Sequence, residues 1–496
     1  MQTISNRRSL LPLLALLACL AFPAAAPARE DSLRKSLVKI FTTVQNPNYY
    51  EPWMVGAQEN VSGSGCVIEG RRILTNAHVV ANQIFIQVLK DGDTKKYTAK
   101  KEFVANDCDL AVLKVDDPAF FRGTKPVQFG GLPSLKDKVE VYGYPVGGEE
   151  LSITEGGISR IELITYAHSM KQLFCIQTNA AINPGNSGGP VFNRKKMVGV
   201  AFQGYNGAVA QNTGYIVPVQ LIKRFLSQVK KKRYSPVPTL GIYTESMEND
   251  SLRAYYGMKK SQMGILVSQV VYQGSAWNKL KENDVLLSID GFPIANDGTV
   301  RFGRGGRLNF AYPLCLHKIG DKMPCKILRG KKNMTVTLTL KDDARLVPFV
   351  KYDEKPSYLI FGGLVFTPLN LNYYQSAKGT PPPSFFSLYF DGLPSPKRKQ
   401  VVLVSHILSH EINKGYGARY SNLIVEKVNG IPITEMKDLK KALAQPQEGR
   451  QVIEFEDPGF EDVGDKIVLD AAKADQATRE ILAKNNILAD RSEDLK

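Results

Sequence analysis

Between residues 61 and 218 the chain is a succession of short β-patterned runs punctuated by glycine: GSGCVIEG, RRILTNAHVV, IFIQVLK, DLAVLKV, KVEVYGYP, FCIQTNAA, KKMVGVAFQ and TGYIVPV. Strand-length runs rich in Val and Ile at this spacing predict an all-β sandwich or barrel. A helical pattern from Val219 to Lys230 follows, then Lys230-Lys231-Lys232-Arg233 and the proline-rich SPVPT. That basic, kinked stretch marks a domain boundary and reads as a solvated linker.

The 496 residues leave room for about three domains. Beyond the linker, VLLSIDGFPIAND at 285–297 is echoed by LIVEKVNGIPITEM at 423–436. Each carries a strand, an Asp/Asn-Gly turn, an apolar residue, Pro and Ile, so two related modules are expected. Between them, residues 378–399 are rich in Pro and Gly and read as an inserted loop. Ala471 to Lys496 is polar and weakly helical, and is expected to be a surface appendage. At the N-terminus, Arg7-Arg8 precede an apolar run from Leu10 to Phe22 and small residues ending Ala26-Pro27-Ala28. This is the shape of a secretory signal over residues 1–28, too short to span a membrane, so export without a stable membrane anchor is expected.

Hydrophobic residues at 43% and charged ones at 23% exclude a largely disordered chain and a polytopic membrane protein. The formal net charge of +16 selects no partner by itself. No nucleic-acid recognition motif accompanies it, and no such partner is expected. Of six cysteines, Cys66, Cys108, Cys175, Cys315 and Cys325 lie outside the signal. Their scattered spacing suits neither a disulfide scaffold nor a metal site, so no metal or cofactor is expected, and buried thiols are favoured over a Cys315–Cys325 bridge.

Three motifs carry the chemistry of nucleophilic catalysis. Thr75-Asn76-Ala77-His78-Val79-Val80 closes an apolar strand, Asp107-Cys108-Asp109 opens another, and Asn183-Pro184-Gly185-Asn186-Ser187-Gly188-Gly189-Pro190 forms a glycine-rich turn around a serine. A serine hydroxyl must lose its proton to a nearby base as it attacks a carbonyl. His78 is the candidate base and Ser187 the nucleophile. Asp109 is preferred over Asp107 as the carboxylate that orients the imidazole, because it directly precedes LAVLKV. The N–H groups of Gly185 and Ser187 are the candidate oxyanion hole, a contribution of roughly 3–4 kcal/mol per donor. Gly185-x-Ser187-x-Gly189 also fits an α/β-hydrolase elbow, but the order His, Asp, Ser is that of chymotrypsin-like double β-barrels. Ala180-Ala181-Ile182 and Val200-Ala201-Phe202 are expected to line the specificity pocket, through Ala181, Ile182, Ala201 and Phe202. None offers a carboxylate for Lys or Arg, so cleavage after small or medium aliphatic residues is expected.

TNAHVV, DCDLAVLKV and NPGNSGGPVFN resemble the protease segments of the HtrA/Deg family of serine proteases, and the downstream modules resemble PDZ domains. GYPVGG at 143–148, SRIELITYAHS at 159–169, PSYLIFGGLVFTPL at 356–369 and ILAKNNILADRSEDL at 481–495 are similar to plant-type Deg proteases in particular. The resemblance implies a mainly β chain: a chymotrypsin-like double β-barrel domain at 29–230, a linker at 231–238, a well-formed α+β PDZ domain at 239–345 and a PDZ-like domain at 350–470. The inserted loop near 370–400 and the appendage at 471–496 complete it. Thr239-Leu240-Gly241-Ile242 matches the family's carboxylate-binding loop, which implies that Leu240, Gly241 and Ile242 hold a peptide C-terminus. Gly363-Leu364-Val365-Phe366 is its weaker counterpart. Ser36 to Trp53 matches the segment through which such proteases trimerise, which implies a homotrimer or a larger cage of trimers; read by itself, it equally suits a strand or helix packed on its own barrel. Tyr166-Ala167-His168 lies where the family has a sensing loop.

These observations predict an exported, periplasmic serine endopeptidase that degrades unfolded or damaged polypeptides and captures C-terminal peptides. No phosphate-binding loop is present to power unfolding, so ATP independence is expected. The competing expectation is a chaperone or peptide-binding scaffold with an idle protease site.

Overall fold

The computed structural model describes residues 33–496 except 149, 208–209, 304, 377–381 and 458–462. The predicted signal at 1–28 lies outside the described residues. Twelve strands form the first domain: β1 (Leu37–Pro47), β2 (Val55–Ile68), β3 (Arg72–Thr75), β4 (Gln83–Lys90), β5 (Tyr97–Ala105) and β6 (Leu110–Val115), then β7 (Lys138–Gly143), β8 (Ser152–Thr165), β9 (Gln172–Thr178), β10 (Pro190–Asn193), β11 (Lys196–Gly207) and β12 (Ala210–Pro218). They close into two antiparallel six-stranded barrels, ordered β1-β2-β3-β6-β5-β4 and β10-β11-β12-β9-β8-β7.

The continuous apolar run of β6 follows from burial on both faces. Ala111, Leu113 and Val115 point into the first barrel, while Leu110 and Val112 join the core between the barrels. Each of these Leu and Val side chains contributes about 1.5–3 kcal/mol through burial. The inter-barrel core continues through helix α1 (Val219–Val229), which buries Leu221, Ile222, Phe225 and Val229, to Leu308 and Cys315 of the next domain. The linker is therefore not a loose tether. Val237 is 3% exposed and its N–H donates to Asp107.

Barrel closure consumes most of the segment expected to mediate trimers. β1 pairs with β2 from Leu37↔Cys66 to Gln45↔Gln58 and with β4 on its other side. The aromatic end turns instead onto the third domain, where Tyr50 stacks on His406 at 4.6 Å and Trp53 meets Tyr358.

The second domain is a sheet of Ile242–Glu245, Ile265–Val270, Val285–Ile289, Lys322–Arg329 and Lys332–Thr339. The third uses Leu359–Phe361, Leu364–Pro368, Val402–Ile407, Leu423–Val428, Arg450–Phe455 and Lys466–Asp470. The internal echo corresponds to matching hairpins. Asp290-Gly291 and Asn429-Gly430 all have positive φ, and Ile289↔Phe292 and Val428↔Ile431 pair across the two turns, the geometry that Asx-Gly favours.

Two expectations are corrected. The inserted segment near 370–400 contains two helices, Leu371–Ser376 and Pro383–Asp391, and buries Tyr373 and Phe385. Residues 471–496 are no appendage: helix Ala471–Lys484 buries Ala474, Ala477 and Ile481, Thr478 Oγ1 accepts the Gly362 N–H, and Leu495 enters the third domain's core. The five cysteines among the described residues are all buried free thiols. Cys315 packs in the inter-barrel core and Cys325 in the core of the second domain, so the Cys315–Cys325 bridge is not formed. Among the described residues no helix is long and apolar enough to cross a membrane, and no group of three His, Cys, Asp or Glu side chains is placed to hold a metal.

Candidate active site

Asp109 stands immediately before β6 with φ +53 and 1% exposure, a left-handed backbone that aspartate tolerates better than most residues. That turn directs both carboxylate oxygens at one residue. Oδ1 accepts the His78 backbone N–H at 2.9 Å and Oδ2 lies 2.7 Å from His78 Nδ1. Asn76 Nδ2 donates to the Asp109 carbonyl at 2.7 Å, tying the turn after β3 to the start of β6. With Nδ1 engaged, Nε2 is the ring nitrogen left for proton transfer.

The electrostatics follow. Burial by itself would lower the His78 pKa, but the charge and hydrogen bond of Asp109 outweigh it and hold it above the ordinary value. Burial would raise the Asp109 pKa, yet the charge and hydrogen bonds of His78 keep it below the usual carboxylate range. The pair therefore favours imidazolium beside carboxylate, the state a histidine reaches on accepting a proton.

Ser187 sits on the turn between β9 and β10, and its carbonyl accepts the Ser64 N–H at 2.8 Å. A Cβ at Gly188, where φ is +85, would lie 2.1 Å from the Ser64 carbonyl oxygen and 3.2 Å from Asn76 N. A Cβ at Gly63 would lie 2.6 Å from Val79 and 3.2 Å from the Ser187 carbonyl. Only bare backbone fits at these contacts, which press the serine turn of the second barrel against the histidine turn of the first.

Between Gly185 and Gly189, the N–H groups of Asn186, Gly188 and Gly189 are bonded to Asn183, Ala201 and Asn186 carbonyls. Those of Gly185 and Ser187 have no partner among the described residues. Ser64, buried at 1%, donates from Oγ to the Gly185 carbonyl at 2.7 Å and accepts the Tyr144 N–H at 2.8 Å. Sequence reading missed Ser64, because nothing in GSGCVIEG marks one serine as a clamp on a turn 121 residues away.

Asp107 has a different task. Tyr234 Oη donates to its Oδ1 and the Val237 N–H to its Oδ2, so it anchors the linker.

Of the four expected pocket residues, two are misplaced. Successive residues of β11 point to opposite faces. Ala201 packs inside the second barrel with Ile176 and Ile216, while Phe202 stacks on the buried Tyr166 at 4.4 Å between centroids. Neither presents its side chain to a cleft. Ala181 and Ile182 stay beside the serine turn. Gly204 and Gly214 pair across β11 and β12, and a Cβ at Gly214 would lie 2.7 Å from Ile182 Cδ1. Ile182 thus packs between two glycines that sequence reading did not single out.

A trypsin-like peptidase family model matches residues 63–200, and a PDZ domain model matches 347–494. Protease Do-like 4, mitochondrial, from Arabidopsis thaliana is 38% identical over 459 residues, covering 92% of this chain and 85% of the relative. Protease Do-like 2, chloroplastic, from the same plant is 35% identical over 473 residues, covering 95% and 77%. The chain belongs to the Do-like (HtrA/Deg) family of serine proteases. Among solved structures, the HtrA-type protease AlgW with tripeptide aligns with a TM-score of 0.50 at 23% identity, covering 63% of this chain and 96% of that one; the likeness is one of fold.

The PDZ model falls on the third domain of this Do-like protease, the module that sequence reading took as the weaker. There a Cβ at Gly363 would meet Asn413 Nδ2 and the Leu408 carbonyl at 2.4 Å, and the Gly362 N–H is held by Thr478. The loop of the second domain is more open. The Leu240 and Gly241 carbonyls accept from Ala276 and Val271, while the Leu240 and Gly241 N–H groups have no partner among the described residues. Gly241 is required there by φ +66 and by an approach that would put a Cβ 3.1 Å from Gly274 Cα. Leu240, Ile242, Val271 and Leu314 line the adjoining groove, together with Tyr389 and Leu393 of the inserted segment.

Proposed function

We propose that this Do-like serine endopeptidase works by Ser–His–Asp acyl transfer. Ser187 attacks the scissile carbonyl as His78 Nε2 takes its proton, and Asp109 holds the resulting imidazolium. The Gly185 and Ser187 N–H groups receive the oxyanion; His78 then protonates the leaving amine and, after acyl-enzyme formation, activates the hydrolytic water. The observation that carries this reading is the two-point hold of Asp109 on His78, at the backbone N–H and at Nδ1. Casein digestion by the wild type, abolished in Ser187→Ala with the fold retained, tests it; equal digestion by the variant rules it out.

The substrates we infer are already unfolded or damaged polypeptides, degraded without ATP, since the sequence holds no phosphate-binding loop. Leu240, Gly241 and Ile242 receive a peptide C-terminus by strand addition. Ile242→Glu, which sets a carboxylate against that terminus, should weaken binding of a labelled C-terminal peptide in fluorescence anisotropy; unchanged affinity would remove the loop from substrate capture. The mitochondrial and chloroplastic names of the relatives and the signal-like N-terminus support an organellar or exported location, of which the periplasm is one instance. Assembly into trimers is supported by exposed Val55, Ile84 and Phe85 flanking β1, and light scattering of the purified chain tests it, a monomer being the contrary result.

A further inference from the structure

Three consecutive residues anchor the segment between the second and third domains, the last two of them to the catalytic domain. The Lys351 N–H and carbonyl are bonded to the side chain of Asn372, at 2.8 and 2.9 Å, which ties the segment to the third domain. Asp353 exchanges two hydrogen bonds with Asn82, at 2.7 and 2.8 Å, and its Oδ1 pairs with Lys101 Nζ at 2.5 Å. Between these anchors Tyr352 lays its ring on His168, with centroids 3.9 Å apart and planes 19° apart, while its Oη donates to the His168 carbonyl at 2.9 Å. His168 is 8% exposed, bonds Asn106 Oδ1 through Nε2 at 3.1 Å, and lies 6.1 Å from the His78 ring.

We propose that Tyr352 is a positioning residue for the triad: its ring seals His168 from solvent, so that His78 is flanked by a neutral, fixed ring instead of a second cation. The inference rests on the reading of His78 as the general base. The imidazolium that forms on His78 during attack is favoured by Asp109 and would be opposed by any positive charge on His168. The groups facing His168 are Asp109, His78, Asp353 and the Tyr352 ring. Burial dominates and pushes its pKa down to about 4, Asp109 and Asp353 opposing this and His78 reinforcing it. Removing the ring exposes the imidazole to water, and its pKa returns toward the ordinary value of about 6.5. Two histidines then titrate together, and the acid limb of activity belongs to the pair.

The test is the pH profile of kcat/KM on a short chromogenic peptide for the full chain. The wild type and Tyr352→Phe should each lose about tenfold per pH unit on the acid side. Tyr352→Ala should approach about a hundredfold per unit, because two protons now inactivate. Adding His168→Phe to Tyr352→Ala should restore the one-proton slope. Asn372→Ala, which releases both bonds to Lys351 and keeps the ring and every charge around His168, should steepen the limb in the same direction and serves if Tyr352→Ala fails to fold. A one-proton limb in folded Tyr352→Ala, or an equal loss at every pH, would overturn the proposal. Activity surviving in Ser187→Ala would instead overturn the triad on which it rests.

Discussion

Ser64 Oγ donates to the carbonyl of Gly185 across the interface between the two barrels. The serine belongs to β2 and the glycine to the turn bearing the nucleophile, so one hydroxyl from the first barrel fixes the Gly185–Asn186 peptide, which lies between the two candidate oxyanion donors, the N–H groups of Gly185 and Ser187. Ser64→Ala should therefore lower kcat by about tenfold to a hundredfold with a smaller change in KM, less than the loss of a whole donor, about 10²–10³. Because it strands the buried Tyr144 N–H, stability should fall by about 1–3 kcal/mol. Steady-state kinetics beside thermal melting separate the two effects.

The two aspartates of DCD divide their work, and so should their variants. Asp109→Asn presents the wrong imidazole tautomer and should cost about 10⁴ in kcat. Asp107→Asn should spare most of the turnover and instead lower stability by about 1–3 kcal/mol, through the weakened hold on Tyr234 and Val237. Measured kcat and melting temperature for both variants check this assignment; a dead Asp107 variant would reverse it.

The pH dependence has a defined sign. His78 is active only as a base, and the net effect of burial opposed by Asp109 raises its pKa. Activity should be full at alkaline pH and fall as the pH drops through a midpoint above the ordinary value of about 6.5. A profile of kcat/KM from pH 5 to 9 measures it, and a midpoint well below 6 contradicts the electrostatics described.

Ile182 packs against Gly204 and Gly214, and the specificity pocket expected there has an apolar lining. Cleavage should follow Val, Ala, Ile or Leu, since an unpaired Lys or Arg head would be buried at a cost of several kcal/mol. Ile182→Ala enlarges that pocket and should shift cuts toward larger side chains. Mass-spectrometric mapping of cuts in an unfolded protein decides, with dominant cleavage after Lys or Arg as the adverse outcome.

The legible parts of this molecule are those where chemistry and secondary structure share a few adjacent residues. Asp109 could be preferred to Asp107 because the strand pattern begins at Leu110, and the Asp-Gly and Asn-Gly turns announced two matching hairpins. Illegible parts depend on contacts between distant segments: Tyr352 reaches His168 across 184 residues, and nothing in the sequence around Tyr352 signals it. The helix Ala471–Lys484 was underrated because the residues it buries include Ala474, Ala477 and Thr478, small or polar side chains that leave little apolar stripe to detect. Phe202 was misassigned because an apolar strand residue reads alike whether it faces a cleft or the inter-barrel core.

The assignment of Ser187 as a nucleophile activated by His78 is tested most directly by covalent labelling. The wild type, His78→Ala and Ser187→Ala would be treated with a fluorophosphonate and followed by intact-mass and peptide mapping. One adduct per chain on Ser187 in the wild type, with none in either variant, is the predicted result. An adduct on another residue, or labelling of Ser187 that persists at the wild-type rate without His78, would contradict the account.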